Sequence, residues 1–109
     1  MPVLPVALPI SIDSTLLEQF CSRWRIVRLE LFGSVLRDDF RPESDVHLLV
    51  TFAPDARWGL FAHVKMQDEL SALMGRKVDL VSRRAIEQSR NWIRQRAILG
   101  SAVPVYVSG

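Results

Sequence analysis

The stretch that decides the fold is Leu31-Phe32-Gly33-Ser34, separated by ten residues from Asp45-Val46-His47-Leu48-Leu49-Val50. Apolar residues alternate from 25 to 32, which predicts a strand that ends at Gly33-Ser34. The Val- and Leu-rich run from 45 to 52 predicts a second strand that is partly buried on both faces. A glycine turn and a strand with polar residues at its start therefore follow each other closely in the chain.

Apolar residues recur at helix or strand spacing on both sides of this segment. The other predicted elements are a helix over 15–24 opened by the capping box Thr15-Leu16-Leu17-Glu18, a short helix over 35–38, a turn over 41–44, a helix over 58–74 ended by Gly75, a strand over 77–81, a turn or short helix from Ser82, a helix over 87–99 ended by Gly100, and an edge strand over 103–107. The residues expected to form apolar faces are Leu60, Phe61, Val64, Leu70, Leu73 and Met74 in the helix over 58–74, and Trp92, Ile93, Ile98 and Leu99 in the helix over 87–99. This order predicts an α/β (α+β) domain with a small mixed β-sheet packed by helices.

Length and composition predict one ordinary globular domain. The chain has 109 residues, of which 49% are hydrophobic and 24% charged, and its net charge of +2 is too small to imply a nucleic-acid partner. Three prolines in the first ten residues predict an extended arm over 1–12, followed by the domain over 13–109. No apolar run reaches the roughly 20 residues of a membrane helix, so a cytoplasmic protein is expected. Cys21 is the single cysteine and is expected in a helix core.

Three features carry candidate chemistry. The backbone N–H groups at Gly33-Ser34 lie between a strand and a helix start, where phosphate can bind. Asp45 and His47 point to one face of their strand, roughly 7 Å apart, and two carboxylates so placed would bind a divalent metal. Asp79 lies between Val78 and Leu80, and an acid within an apolar strand is costly unless it is paired or bound to a metal.

Each feature also has an ordinary structural interpretation when taken alone. Gly33-Ser34 can be a plain turn, Asp45 can simply begin a strand, and His47 can be a hydrogen-bonded histidine without any ligand. Asp79 can pair with an arginine such as Arg76 or Arg83. The joint occurrence of these features at fixed spacing favours the functional interpretation.

Together the motifs resemble a known family. Gly33-Ser34, ten residues, then Asp45-Val46-His47 is similar to the GS-x10-D-x-D signature of the nucleotidyltransferase superfamily, except that histidine stands at the last position. The context Lys77-Val78-Asp79-Leu80-Val81 and the C-terminal run from 98 to 106 resemble the minimal nucleotidyltransferase (MNT) branch, which includes MntA-like antitoxins. The resemblance covers about residues 14–107.

The resemblance implies a fold, a reaction and a partner. It implies that Gly33 and Ser34 hold a nucleoside triphosphate, that Arg37 neutralises phosphate charge, and that Asp45, Asp79 and an acid at 47 hold two Mg²⁺ ions. Asp79 would also help to activate the acceptor hydroxyl. In MNT systems AMP passes from ATP to a tyrosine hydroxyl of a HEPN-type toxin, an RNase, and the same partner is implied here.

His47 departs from the family pattern and leaves two functions open. Magnesium prefers oxygen ligands, whereas a neutral imidazole suits softer metals, so a doubtful ligand at this position predicts weakened transfer. The chain is then either an impaired AMP-transferring antitoxin or an inactive MNT protein that neutralises its HEPN partner by binding.

A basic segment offers a third, weaker possibility. Five arginines lie within it, at 83, 84, 90, 94 and 96. They predict a solvated helix face or a partner-docking surface. A nucleic-acid role is not expected, because the segment matches no recognised motif and Trp92, its one candidate stacking aromatic, is expected to be buried.

Overall fold

The computed structural model of the chain describes residues 12–33 and 45–108. Its elements are α1 (Ser14–Arg23), β1 (Ile26–Phe32), β2 (Val46–Phe52), α2 (Leu60–Met74), β3 (Val78–Ser82), α3 (Arg83–Glu87), α4 (Trp92–Ser101) and β4 (Val103–Val107). The predicted short helix over 35–38, the turn over 41–44 and nearly all of the N-terminal arm lie outside the described residues.

The four strands form one mixed sheet in the order β3-β2-β1-β4. β1 pairs antiparallel with both β2 and β4, whereas β2 and β3 run parallel. The parallel pair is connected through α2, as such a pair requires a crossover. This architecture confirms the predicted small mixed sheet packed by helices, and β4 lies at the edge where its proline was expected to be tolerated.

Helices cover both faces of the sheet. Leu29, Leu31 and Leu48 point to one face, where they pack with the buried side chains of α1 and α2. On the other face Phe32 and Leu49 pack against Ile86 of α3 and the partly buried end of α4. Because both faces are covered, β2 is apolar at nearly every position instead of alternating.

α1 is capped two residues earlier than its capping-box pattern indicated. Asp13 is the N-cap, and its Oδ1 accepts a hydrogen bond from the backbone N–H of Leu16 at 3.0 Å, so the expected cap at Thr15 is wrong. The helix buries Cys21 in the core, as predicted, and burial raises the pKa of this thiol to about 12. Cys21 is therefore neutral at physiological pH.

The apolar faces predicted for the two long helices are wrong in their first turns. In α2 the buried residues are Met66, Leu70 and Met74, while Phe61 is 92% exposed. At about 3.6 residues per turn, Phe61 lies on the side of α2 opposite the buried stripe of Met66, Leu70 and Met74, so it faces away from the sheet. The exposed residues of this turn and the next are Leu60, Phe61 and Val64.

α4 shows the same effect. The predicted helix over 87–99 begins later, at Trp92, and residue 87 belongs to the separate helix α3. α4 ends at Ser101 and so includes Gly100, which was expected to end it. Trp92 and Ile93 are 64% and 66% exposed, so the expectation that both face inward is wrong. Only the C-terminal half of α4 packs on the sheet, through Ile98 and Leu99.

Side chains of α2 bond to the backbone of the edge strand β3. Ser71 Oγ accepts from the N–H of Val78 at 3.0 Å, and Gln67 Oε1 accepts from the N–H of Leu80 at 2.9 Å. His63 Nε2 donates to the carbonyl oxygen of Leu80 at 2.7 Å, so this histidine has a structural role. Positions 63, 67 and 71 share one face of the helix, so a single stripe of α2 bonds to three outward-facing backbone groups of the strand. No helix in the described part of the chain is long and apolar enough to span a membrane.

Candidate functional site

Three neighbouring strands place Phe32, His47 and Asp79 in one row across the sheet. Phe32 of β1 is opposite His47 of β2, and His47 is beside Asp79 of β3. His47 Nδ1 lies 3.2 Å from Asp79 Oδ2, which is hydrogen-bonding distance. Because an ionised carboxylate only accepts hydrogen bonds, Nδ1 carries the proton in this pair. The structure therefore brings together two residues that lie 32 positions apart in the sequence.

Gly33 allows the imidazole to lie against the backbone at the end of β1. Its φ of 82° is in the left-handed region, and a Cβ on this residue would lie 3.2 Å from Cδ2 of His47. The ring of Phe32 contacts the same imidazole, with 5.5 Å between ring centroids. Glycine is needed here for both its backbone conformation and the close approach of His47.

A cavity of about 350 Å³ opens at this row. Gly33, His47 and Asp79 line it on the sheet side, and Arg94 and Ile98 line it from α4. Its size falls within the usual range for small-molecule sites, and it carries one carboxylate and one guanidinium among the described residues. This cavity can accept a polar ligand that contacts both charges.

Of the remaining predicted site residues, Asp45 is described by the structure, and Ser34 and Arg37 are not. Asp45 comes directly before β2, whose first N–H, that of Val46, bonds to the carbonyl oxygen of Lys77 at 2.9 Å. Strand alternation places Asp45 on the face of His47. Within 12–33 and 45–108, no group of three or more His, Cys, Asp and Glu side chains is arranged to hold a metal ion.

Sequence reasoning missed the buried carboxylate of Glu30. Arg83, considered above as a partner for Asp79, donates to Glu30 Oε1 at 2.6 Å, and the Glu30 side chain is only 3% exposed. Glu30 stands between Leu29 and Leu31 in an apolar strand. This is the same signal that singled out Asp79, so the sequence did carry the information.

The family assignment follows from comparison with known proteins. A family model described as "Nucleotidyltransferase domain" matches residues 13–103. The chain belongs to this family. It is also similar to a solved structure assigned as a minimal nucleotidyltransferase, with 33% identity over 83% of this chain and 86% of the other, at a TM-score of 0.62. The match to the family and to its minimal branch confirms the resemblance seen in the motifs.

Two toxin–antitoxin structures share the fold at lower identity. One, solved with AMP-PNP, has 15% identity and a TM-score of 0.66 over 89% of this chain and 75% of the other. The second is MntA–HpeT carrying two Asp-to-Glu substitutions, with 14% identity and a TM-score of 0.58 over the same shares of the two chains. No curated protein sequence matches the chain significantly.

Proposed function

We propose that the chain is an antitoxin that binds a HEPN-type toxin in the cytoplasm and transfers AMP from ATP to a tyrosine hydroxyl of that toxin. We further propose that His47 makes this transfer slow. Membership of the nucleotidyltransferase family supports the reaction. The fold shared with toxin–antitoxin structures, one of them with a bound nucleotide analogue, supports the partner.

The proposed reaction is a single displacement at the α-phosphorus of ATP. The toxin's hydroxyl oxygen forms a bond to this phosphorus, the bond to the β-phosphate oxygen breaks, and pyrophosphate leaves. Gly33, Ser34 and Arg37 are the proposed nucleotide-binding residues, and Asp45 and Asp79 are the proposed catalytic carboxylates. Asp79 is the proposed acceptor of the hydroxyl proton, because it lines the cavity with half of its side chain exposed.

The observation that carries the proposal of slow transfer is the hydrogen bond between His47 and Asp79. The family resemblance implies two Mg²⁺ ions, which require hard oxygen ligands in near-octahedral geometry. Here the imidazole of His47 stands where the resemblance implies a carboxylate. Its Nδ1–H also occupies a lone pair of Asp79, which is itself an implied metal ligand. The described residues therefore do not fit a two-magnesium site as they lie.

The hydrogen bond between His47 and Asp79 also favours a second candidate function, in which the chain neutralises its toxin by contact alone. The exposed residues of α4 add to this. Arg94 lines the cavity, and Trp92 and Ile93 before it in α4 are exposed. Exposed aromatic and aliphatic side chains beside a basic residue are typical of protein-binding surfaces. Such a surface binds a partner without needing any chemistry at Asp79.

One experiment separates the two functions. The purified chain, a purified HEPN toxin and α-labelled ATP are mixed with Mg²⁺ or Mn²⁺, and both label on the toxin and toxin RNase activity are measured. Asp79→Asn tests the site, and Asp68→Asn, at an exposed position of α2, is the matched control. Label that Asp79→Asn abolishes supports transfer. Loss of RNase activity without label supports neutralisation by contact, and an unaffected RNase contradicts both.

A further inference from the structure

A second and larger cavity, of about 590 Å³, lies at the opposite end of β2 from His47. We call it the arginine cavity. Its walls come from the end of β2, the loop after it and α3, and its charged lining residues are Arg28, Arg57, Arg83, Arg84 and Glu87. Thr51 in its wall is four residues along β2 from His47, a separation of roughly 13 Å. The arginine cavity is therefore separate from the nucleotidyltransferase site.

A buried carboxylate holds two of these guanidinium groups in the cavity wall. Glu30 Oε1 lies 2.6 Å from Arg83 Nη1 and 3.4 Å from Arg28 Nε. A buried ion pair is poor evidence for stability, because removing the charges from water costs about as much as their attraction returns. Here the carboxylate of Glu30 fixes the positions of the Arg28 and Arg83 side chains. Because two arginines share one carboxylate, the three groups together keep a net positive charge.

The backbone of β1 directs Arg28 to this wall. The register of β1 against β2 shifts between Ile26 and Arg28, so that Arg28 pairs with Thr51. Bulges of this kind re-aim a side chain next to functional sites. Arg57 is fixed from the other side, because its Nη1 donates to the carbonyl oxygens of Pro54 and Ala56 at 2.9 and 3.0 Å.

Charge and shape together define the ligand class. Four arginines stand against the carboxylates of Glu30 and Glu87, so the wall has an excess of two positive charges. Guanidinium groups bind phosphate through paired N–H donors, and a doubly charged phosphate matches an excess of two better than a single carboxylate does. The volume is typical of a pocket for a small molecule rather than of a flat surface.

An unused hydroxyl provides an independent observation. Thr51 Oγ1 is buried and has no hydrogen-bond partner within the described part of the chain. A buried hydroxyl without a partner costs free energy and is uncommon in folded proteins. Thr51 lines the arginine cavity, so a polar ligand bound there would be placed to supply the partner that this hydroxyl lacks.

We propose that the arginine cavity binds a small molecule carrying a phosphate group, at a site separate from the one that holds the transferred nucleotide. The guanidinium groups of Arg28 and Arg84 bind the phosphate oxygens, and Arg83 holds its place through Glu30. The phosphate group is the recognised element, so inorganic phosphate, pyrophosphate and AMP are suitable probes.

The test is calorimetric titration of the full chain with each probe, in the absence of divalent metal. The parent is expected to bind at least one probe, and Arg84→Gln and Arg28→Gln are each expected to weaken that binding about tenfold or more. Thr51→Val removes the hydroxyl with little change in shape and is expected to weaken binding while keeping the fold. Arg96→Gln, an exposed arginine of α4 outside this cavity, is the control with the same change of charge and is expected to bind as the parent does.

Each remaining outcome overturns the proposal. No binding of any probe by the parent at millimolar concentration excludes a phosphate site. Equal weakening by Arg96→Gln shows general charge attraction only. Binding that Asp79→Asn abolishes and Arg84→Gln leaves intact places the probe at the other cavity. A short single-stranded RNA that binds more tightly than every probe and loses its affinity in Arg84→Gln shows that the ligand is a nucleic acid.

Discussion

His47 and Asp79 are neighbours across two parallel strands, and their side chains meet with 3.2 Å between Nδ1 and Oδ2. Their backbone positions are fixed by the pairing of β2 with β3, so a substitution at 47 changes the chemistry of the row without moving Asp79. The consequences of the histidine can therefore be tested one side chain at a time.

His47→Asp is expected to raise AMP transfer and to strengthen Mg²⁺ binding. The substitution replaces a nitrogen donor by the carboxylate that the family motif implies. Without metal, two adjacent carboxylates repel each other, and the free energy of unfolding should fall by about 1 kcal/mol. Thermal melting with and without Mg²⁺, beside transfer of labelled AMP to the HEPN toxin, measures both effects. A parent that transfers AMP as fast as this variant would show that histidine does not impair the site.

Ser34→Ala and Asp45→Ala are expected to lower the affinity for ATP–Mg²⁺ by about tenfold each while the protein stays folded. Ser34 is the proposed phosphate contact, and Asp45 is a partly exposed residue directly before β2. Calorimetry measures the affinity, and circular dichroism checks the fold. If the parent binds ATP and both variants bind it equally well, neither residue belongs to the nucleotide site.

Gly33→Ala is expected to lower the free energy of unfolding by about 1–2 kcal/mol, because alanine is strained at positive φ. The added methyl group also meets Cδ2 of His47 at 3.2 Å, so the imidazole must shift. Urea unfolding measures the first effect, and the NMR signals of the His47 ring report the second. Gly59→Ala, at a position with no atom near the added methyl group, is the control. An unshifted His47 signal in a destabilised variant would contradict the close contact.

Trp92→Ser is expected to weaken toxin binding by roughly tenfold to a hundredfold, as is usual when an exposed aromatic anchor is removed from an interface. The melting temperature should stay nearly constant, because Trp92 is already exposed. Phe61→Ser, which removes an exposed aromatic residue from α2, is the matched control for the choice of surface. Equal losses in both variants, or none in either, would remove the docking surface from the first turn of α4.

The sequence predicted the sheet well because β-strand patterns and turn residues are local signals. Val46 to Phe52 could be recognised as a strand without knowing its neighbours, and Gly33 marked the end of the preceding strand at a position where the structure has positive φ. The parallel pairing that brings Asp79 to His47 is not local, and the sequence did not predict it. The family resemblance implied only that Asp79 shares a site with positions 45 and 47.

The exposed faces of α2 and α4 could not be predicted in this way. Apolar residues occur on more than one side of each helix, and the sequence pattern did not show which side packs on the sheet. Phe61 lies on the side of α2 opposite Met66 and Leu70. The apolar neighbours of Glu30 marked a buried carboxylate, but its partner Arg83 depends on where α3 packs on the sheet, so a pattern along one element could not identify that partner.

The hydrogen bonds from α2 to the outer edge of β3 make amide hydrogen exchange at that edge a measure of local opening. Amides on the outer side of an edge strand usually exchange their hydrogens quickly with water. Here the amides of Val78 and Leu80 donate hydrogen bonds to the side chains of Ser71 and Gln67. Each amide can therefore exchange only after this hydrogen bond breaks. The exchange rates of these two amides therefore report how often the hydrogen bonds between α2 and β3 open, on the strand that also carries Asp79.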